Sequence, residues 1–280
     1  MQVHRIRSLR RFFLPLLSRL DFDVAIRHHW TSDALRLNLY RHKGYWYHGR
    51  ARELETMMLF EQLLSGGDFV IEVGGHIGYV SLHLWNQIAP TGRLVVFEPS
   101  PSNLPYMRKN VAAHAGIRVV ESAVADYVGS ATLYEEGLTG QNNSLLKSYS
   151  LLEGNRKMAY VNERLDQREV EVACTTIDDF LSRENLPAPS FIKIDVEGAE
   201  YMVLSGMQTT LRDSHVAIMV EVTERSADVF RLLKDADYRL FRPDRTPIDS
   251  VQRARGNVFC LKDSDQRISL FLNQPERSSQ

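Results

Sequence analysis

Short, wholly apolar runs recur along this chain, and between them the apolar positions fall into helical spacing. Phe69–Val73 and Leu94–Phe97 read as strands buried on both faces, with Gly78–Ile88 as the helix crossing between them. Upstream, Leu54, Met57, Met58, Phe60, Leu63 and Leu64 share a helical face within Arg52–Ser65, and Gly66-Gly67 stops that helix just before the first strand. Downstream, Ser102–His114 reads as a second crossover helix, Ile117–Glu121 as the third strand, Phe191–Asp195 as the fourth and Val216–Val222 as the fifth. Ala199–Leu211 and Arg225–Lys234 are helical, and Tyr238–Phe241 and Asn257–Leu261 are the last strands. The alternation predicts an α/β fold, a doubly wound and mostly parallel sheet whose last two strands form an antiparallel edge. Residues 51–262 form the domain, 1–50 an N-terminal helical extension and 263–280 a C-terminal tail. Residues 134–170 interrupt the core between strands three and four, an excursion of the kind that carries substrate specificity.

The polar residues that break this pattern sit at strand ends. Glu72 lies inside the first apolar run and is followed by Gly74, Gly75, His76 and Gly78. Glu98 ends the next run, twenty residues after Gly78. Glycines there let the backbone turn sharply at the carboxyl edge of the sheet, where a ligand can lie against it. A carboxylate at the tip of the neighbouring strand is placed to accept both hydroxyls of a ribose, so a nucleoside-bearing cofactor is the leading reading. Glu72 narrows it. An acid two residues before the glycine suits no pyrophosphate, which argues against a nicotinamide-dependent oxidoreductase. It suits S-adenosylmethionine, whose amino-acid end carries an ammonium and a sulfonium.

A second constellation occupies Phe191-Ile192-Lys193-Ile194-Asp195-Val196-Glu197-Gly198-Ala199-Glu200. Strand period puts Lys193 and Asp195 on one face, with Glu197 just beyond the strand end. Charges in a buried strand are costly unless paired or ligand-bound, and these lie on the same sheet edge as the glycine loop.

Composition adds limits. Lys and Arg number 34 against 35 Asp and Glu, so a nucleic-acid-binding surface is not expected. No apolar run approaches the roughly 20 residues that span a bilayer. Cys174 and Cys260, the only cysteines, sit in strand-like contexts without ligand spacing, so buried thiols and a cytoplasmic setting are expected. Residues 1–20 place Arg5, Arg7, Arg10 and Arg11 before a short apolar stretch. Such a segment either contacts an anionic membrane surface peripherally or packs on the protein or a second subunit. Oligomeric state is open.

Together these stretches are similar to the FkbM family of S-adenosylmethionine-dependent methyltransferases. The resemblance runs through Tyr47-His48-Gly49, Ile71–Gly78, Phe97-Glu98-Pro99-Ser100-Pro101, Ser122-Ala123-Val124-Ala125-Asp126, Thr176–Phe180 and Ile192–Glu200, and covers roughly residues 45–225. It implies the Rossmann-like fold of class I methyltransferases and O-methylation of a small-molecule or glycan hydroxyl, on a sugar or a natural-product scaffold. By position, Glu72, Gly74, Gly75, His76 and Gly78 are expected to hold the methionine end of the cofactor. Glu98 with Pro99 and Ser100 would hold the ribose, Ser122, Ala123 and Val124 would lie along the adenine, and Asp195 would face the methionine or the transferring methyl. Three residues depart from the family pattern: Glu72 stands where aspartate is usual, and Gly75-His76 where Ala-Asn is common.

Methyl transfer to a hydroxyl needs alignment, and a base within reach helps. Asp195, Glu197 and His76 are the candidates, with Lys193 to orient a carboxylate. A divalent metal on Asp195 and Glu197 would serve the same end, but two carboxylates without a third protein ligand leave a metal unsupported. His28, His29, His42, His48 and His83 show no ligand spacing. Asn142, Asn143 and Ser144 are the candidate acceptor contacts, with Trp30, Tyr45, Trp46 and Tyr47 as aromatic faces for a sugar. A capped turn and ordinary packing are the alternatives. A non-catalytic module that keeps the fold is the competing function.

Overall fold

The computed structural model describes residues 22–136, 141–147, 167–213 and 215–273. The basic segment 1–20, the stretch 148–166 and the last residues of the tail lie outside the described residues.

The N-terminal extension contains a hairpin where a helix was expected. Strands β1 (Asp23–Arg27) and β2 (Ala34–Asn38) pair antiparallel, followed by a short helix α1 (Lys43–His48). Alternation in Ala-Leu-Arg-Leu-Asn buries Leu35 and Leu37 completely. Then come α2 (Leu54–Leu63), β3 (Phe69–Val73), α3 (Tyr79–Ile88), β4 (Arg93–Phe97), α4 (Leu104–Val111) and β5 (Ile117–Val120). Asn110 of α4 stitches the hairpin down. Its Nδ2 donates to the Arg36 and Ile77 carbonyls at 3.0 and 2.7 Å, and its Oδ1 accepts the Arg36 N–H at 2.7 Å.

A small second sheet follows: β6 (Ala123–Val124), β7 (Gly129–Glu136) and β8 (Gln167–Thr175), with β8 in the middle. The expected excursion 134–170 therefore begins and ends within the arms of an antiparallel pair. Next are α5 (Ile177–Arg183), β9 (Phe191–Ile194), α6 (Glu200–Ser205), α7 (Gln208–Arg212), β10 (Ala217–Val222), α8 (Ser226–Asp235), β11 (Tyr238–Phe241), β12 (Gly256–Lys262) and α9 (Ser269–Leu272). The single helix expected over 199–211 is two, α6 and α7. It breaks at Gly206, whose backbone lies so near the Ala125 carbonyl that an added Cβ would sit 2.1 Å from that oxygen.

The main sheet has the order β11-β12-β10-β9-β3-β4-β5. Every strand is parallel except β12, which runs antiparallel to both its neighbours. The reversed strand is thus one place in from the edge. Side chains alternate between two cores: Val70, Leu94, Val96, Phe191 and Met219 face α2 and α3, while Ile71, Val73, Phe97, Ile194 and Val220 face α5, α6 and α8. Part of the expected tail belongs to the first core, since Phe271 of α9 packs on Phe241 at 4.8 Å between ring centroids. Cys174 and Cys260 are buried and free.

Candidate active site

The period that sorts the core also sorts the charges. Glu72 is the register partner of Lys193, and Met219 pairs with Lys193 from the other side. Glu72, Lys193, Asp195 and Glu221 therefore sit on one face of three adjacent strands. Lys193 joins them. Its Nζ is 3.3 Å from Glu72 and 3.1 Å from Asp195, and it donates to the Gly74 carbonyl at 3.2 Å. Burial opposes the ammonium's charge, but Asp195 and Glu72 hold its pKa above the ordinary lysine value.

Above this layer the carboxyl ends of β3, β4, β9 and β10 open into a cleft. Gly74 (φ +85°) forms its floor, and an added Cβ there would lie 1.8 Å from the Asp195 carbonyl oxygen. The Glu98 carboxylate accepts the His76 N–H at 2.7 Å, the Ser100 N–H at 3.0 Å and Asn103 Nδ2 at 3.2 Å. Burial pushes its pKa up to about 7 despite those donors. The His76 ring is fixed from the side: Tyr45 Oη lies 2.7 Å from Nδ1, the two rings stack, and the Arg52 guanidinium lies over the Tyr45 ring at 4.7 Å.

Burial would raise Asp195, but Lys193 and a hydrogen bond from the Glu221 carboxyl hold it below the usual carboxylate range. The Asp195 charge beside it and its own burial push Glu221 up to about 10. Burial, with Asp195 and Glu200 nearby, raises Glu197 well above its ordinary value, and its Oε2 has no hydrogen-bond partner among the described residues. Glu53, His76 and Glu197 all line the cleft in the left-handed region, at φ +50°, +51° and +53°.

The structure brings Gly74, His76, Glu98, Pro99, Ser122, Ala123, Val124, Asp195, Glu197, Asn142, Asn143 and Ser144 to this one cleft. Glu72, Gly75, Gly78, Ser100 and Lys193 do not line it. Glu72 is fully buried beneath the loop and accepts Ser81 Oγ at 2.5 Å. Ser100 donates to Glu135 of β7 at 2.5 Å, tying the loop after β4 to the small sheet. Gly78 caps α3 at φ +88°. Asn142 and Asn143 hydrogen-bond the side chain and N–H of Glu136, and Ser144 donates to the Glu197 carbonyl at 2.6 Å, so much of their polar capacity serves the turn itself.

Gly75 has a packing reason to be glycine. A Cβ there would lie 2.3 Å from Val96 Cγ1 and 2.4 Å from Met107 Cε. Gly75→Ala should cost about 1–3 kcal/mol of stability by overpacking, read as a lower denaturant midpoint. An unchanged midpoint would mean that Val96 and Met107 yield freely.

Arg52, Glu53 and Glu221 also line the cleft and escape a motif reading. Glu221 had a signal, an acid inside the buried run Ala217–Val222. Arg52 and Glu53 had none, since they stand before the first core strand and reach the cleft only through the tertiary fold. Among the described residues, no three or more His, Cys, Asp or Glu are grouped to hold a metal, and no helix is long and apolar enough to cross a membrane.

Three characterised relatives bear on the chemistry. Methyltransferase 1 of Beauveria bassiana is 27% identical over 201 residues, covering 65% of this chain and 77% of its own length. The 31-O-demethyl-FK506 methyltransferase FkbM of Streptomyces tacrolimicus is 29% identical over 168 residues, 52% of this chain and 61% of its own. The 2-O-methyltransferase NoeI of Sinorhizobium fredii is 28% identical over 126 residues, 45% and 51%. The family model for the methyltransferase FkbM domain matches residues 72–240, from the glutamate beneath the glycine loop to the edge strand β11, which is more than half of the sequence. With its fold, its glycine loop and this match in agreement, the chain belongs to the FkbM methyltransferase family.

Proposed function

We propose that the protein is an S-adenosylmethionine-dependent O-methyltransferase whose acceptor is a hydroxyl of a sugar, glycan or natural-product small molecule. The observation that carries this reading is the carboxyl lining of the cleft: Glu53, Glu98, Asp195, Glu197 and Glu221 line it against one arginine, Arg52. A cationic amino-acid end gives these buried carboxyls a charge to ionise against, which a pyrophosphate does not. The apolar side chains of Phe97, Val124 and Leu133 on the same wall suit a purine ring.

Bound S-adenosylmethionine would supply an electrophilic methyl on a sulfonium. Glu98 holds the ribose, and Ser122, Ala123 and Val124 flank the adenine. Gly74 and His76 present backbone to the methionine end. Glu72, beneath the cleft, acts on the cofactor only through Lys193 and the loop it supports. Asp195 is the base this geometry favours. Lys193 and Glu221 keep it ionised, so it can take the proton of an acceptor hydroxyl that the cofactor, when bound, would methylate. The acids flanking Asp195 and the ring of His76 shape the acceptor side, together with Asn143, whose Nδ2 has no hydrogen-bond partner among the described residues. The names of two relatives specify O-methyl transfer, which supports the oxygen as the nucleophilic atom.

Calorimetric titration with S-adenosylmethionine, S-adenosylhomocysteine and NAD tests the cofactor. Binding of the first two without NAD is expected, followed by a one-methyl mass gain on a hydroxylated acceptor. Binding of NAD alone would sink the reading.

A further inference from the structure

Three carboxyl groups meet where β9 and β10 end. Asp195 and Glu221 stand next to each other just beyond the paired ends of β9 and β10, Glu197 lines the same cleft from the turn after β9, and the Asp195 charge pushes the Glu221 carboxyl up. Every neighbouring element adds a charge. Lys193 touches Asp195 from below, with Glu72 behind it. Glu200 opens α6 next to Glu197, its Oε1 held by the Gly198 N–H at 2.7 Å and Thr223 Oγ1 at 2.8 Å. Arg52 and Glu53 complete the opposite wall, where the guanidinium lies 3.4 Å from its own neighbour's carboxylate. Lys193 is shared with Glu72 and Arg52 with Glu53, so the cluster holds more carboxyls than cations. Protonation is how such a cluster balances itself when no cationic ligand is present.

Resting on the cofactor reading above, we propose that Asp195, Glu197 and Glu221 act as a unit that reads the charge on the cofactor's sulfur, admitting the sulfonium with loss of a proton and holding the neutral thioether less firmly. A positive centre entering the cluster replaces a proton there, because both satisfy the same carboxylates. S-adenosylmethionine and S-adenosylhomocysteine share adenine, ribose, ammonium and carboxylate. They differ only in one methyl and in the charge on sulfur, so contacts elsewhere in the cleft, including those of Glu98, cancel when the two are compared. Methyl transfer removes that charge. The cluster then regains a proton, and the spent cofactor loses an attraction that the fresh one has.

The test is calorimetry with each ligand between pH 6.5 and 8.5, in buffers of different ionisation enthalpy, which counts protons released per ligand bound. S-adenosylmethionine should release up to about one proton more than S-adenosylhomocysteine. The ratio of their affinities should then rise with pH, by up to about tenfold per unit where a whole proton is released. In Glu221→Gln the amide still donates to Asp195 but carries no dissociable proton, and the difference between ligands should shrink. Equal proton counts and a pH-independent affinity ratio would overturn the proposal while leaving the cofactor reading standing. An undiminished difference in a folded Glu221→Gln would also overturn it, because Glu221 would then be no part of the unit. Failure of both ligands to bind would overturn the proposal together with the cofactor reading.

Discussion

Replacing Lys193 by methionine should lower the unfolding free energy by about 3–5 kcal/mol, the usual cost of leaving one member of a buried ion pair without its partner. Glu72 is fully buried, and its Oε2 is satisfied by Ser81. Without the ammonium, its other oxygen would face an apolar layer, and the group would answer by keeping a proton. The sign with pH follows from that. A carboxyl whose folded pKa lies above its unfolded value binds more protons in the native state, so stability falls as pH rises above the unfolded value. The variant's deficit should therefore be small near pH 4.5 and widen toward neutrality. Urea midpoints of the parent and Lys193→Met at pH 5 and pH 8 measure it. Adding Glu72→Gln, which keeps an oxygen for Ser81 and removes the charge, should recover much of the loss. A deficit below about 1 kcal/mol at pH 8 would show that the pair does not hold the strand ends together.

The second large effect concerns Glu98. In Glu98→Gln the side chain keeps its length and an acceptor oxygen but loses its charge and half its accepting capacity. Hydrogen bonds to charged groups contribute about 1.5–3 kcal/mol each. Affinity for S-adenosylhomocysteine should fall roughly 10- to 150-fold. The parent should also show a pH dependence that the variant lacks. The free carboxyl titrates at about 7, and ribose hydroxyls donate to its ionised form. The parent's affinity should therefore rise with pH up to about 7 and level off above it. For the free protein the same shift acts the other way, since stability falls between the unfolded carboxyl's value and 7 as the buried charge develops. Choosing S-adenosylhomocysteine keeps this titration apart from that of the acids around Asp195. Equal affinities of parent and variant across pH 6–8 would remove Glu98 from the ribose.

Some of this site was legible before any coordinates. β3, β4, β9 and β10 are uninterrupted apolar runs, because a parallel strand is buried on both faces, and acids at their ends stand out against such a background. Gly74, Glu98, Asp195 and Glu197 were found that way. β7 and β8 were missed because each alternates, and polar positions read as loop when the pairing partner lies some thirty residues off. The hairpin at Asp23–Asn38 was missed for a similar reason: it is stabilised by Asn110 and the first core, neither of which a local pattern reveals. Glu72 was read as a ligand contact because sequence shows that an acid is present without showing its depth. Only the register with Lys193 places it under the floor of the cleft. Tyr45, one of the aromatic faces named from sequence, does line the cleft, while Arg52 and Glu53 enter it through chain folding alone.

The left-handed backbone at Glu53, His76 and Glu197 bears on how this site would decay. Each residue accepts roughly 1–2 kcal/mol of conformational strain that glycine would avoid. Backbone strain alone thus favours glycine at these three positions, at the expense of three functional groups in the cleft. A copy of this domain released from its chemistry would drift along that slope first. It would become a robust scaffold with a smoother, less acidic cleft well before it lost the ability to fold.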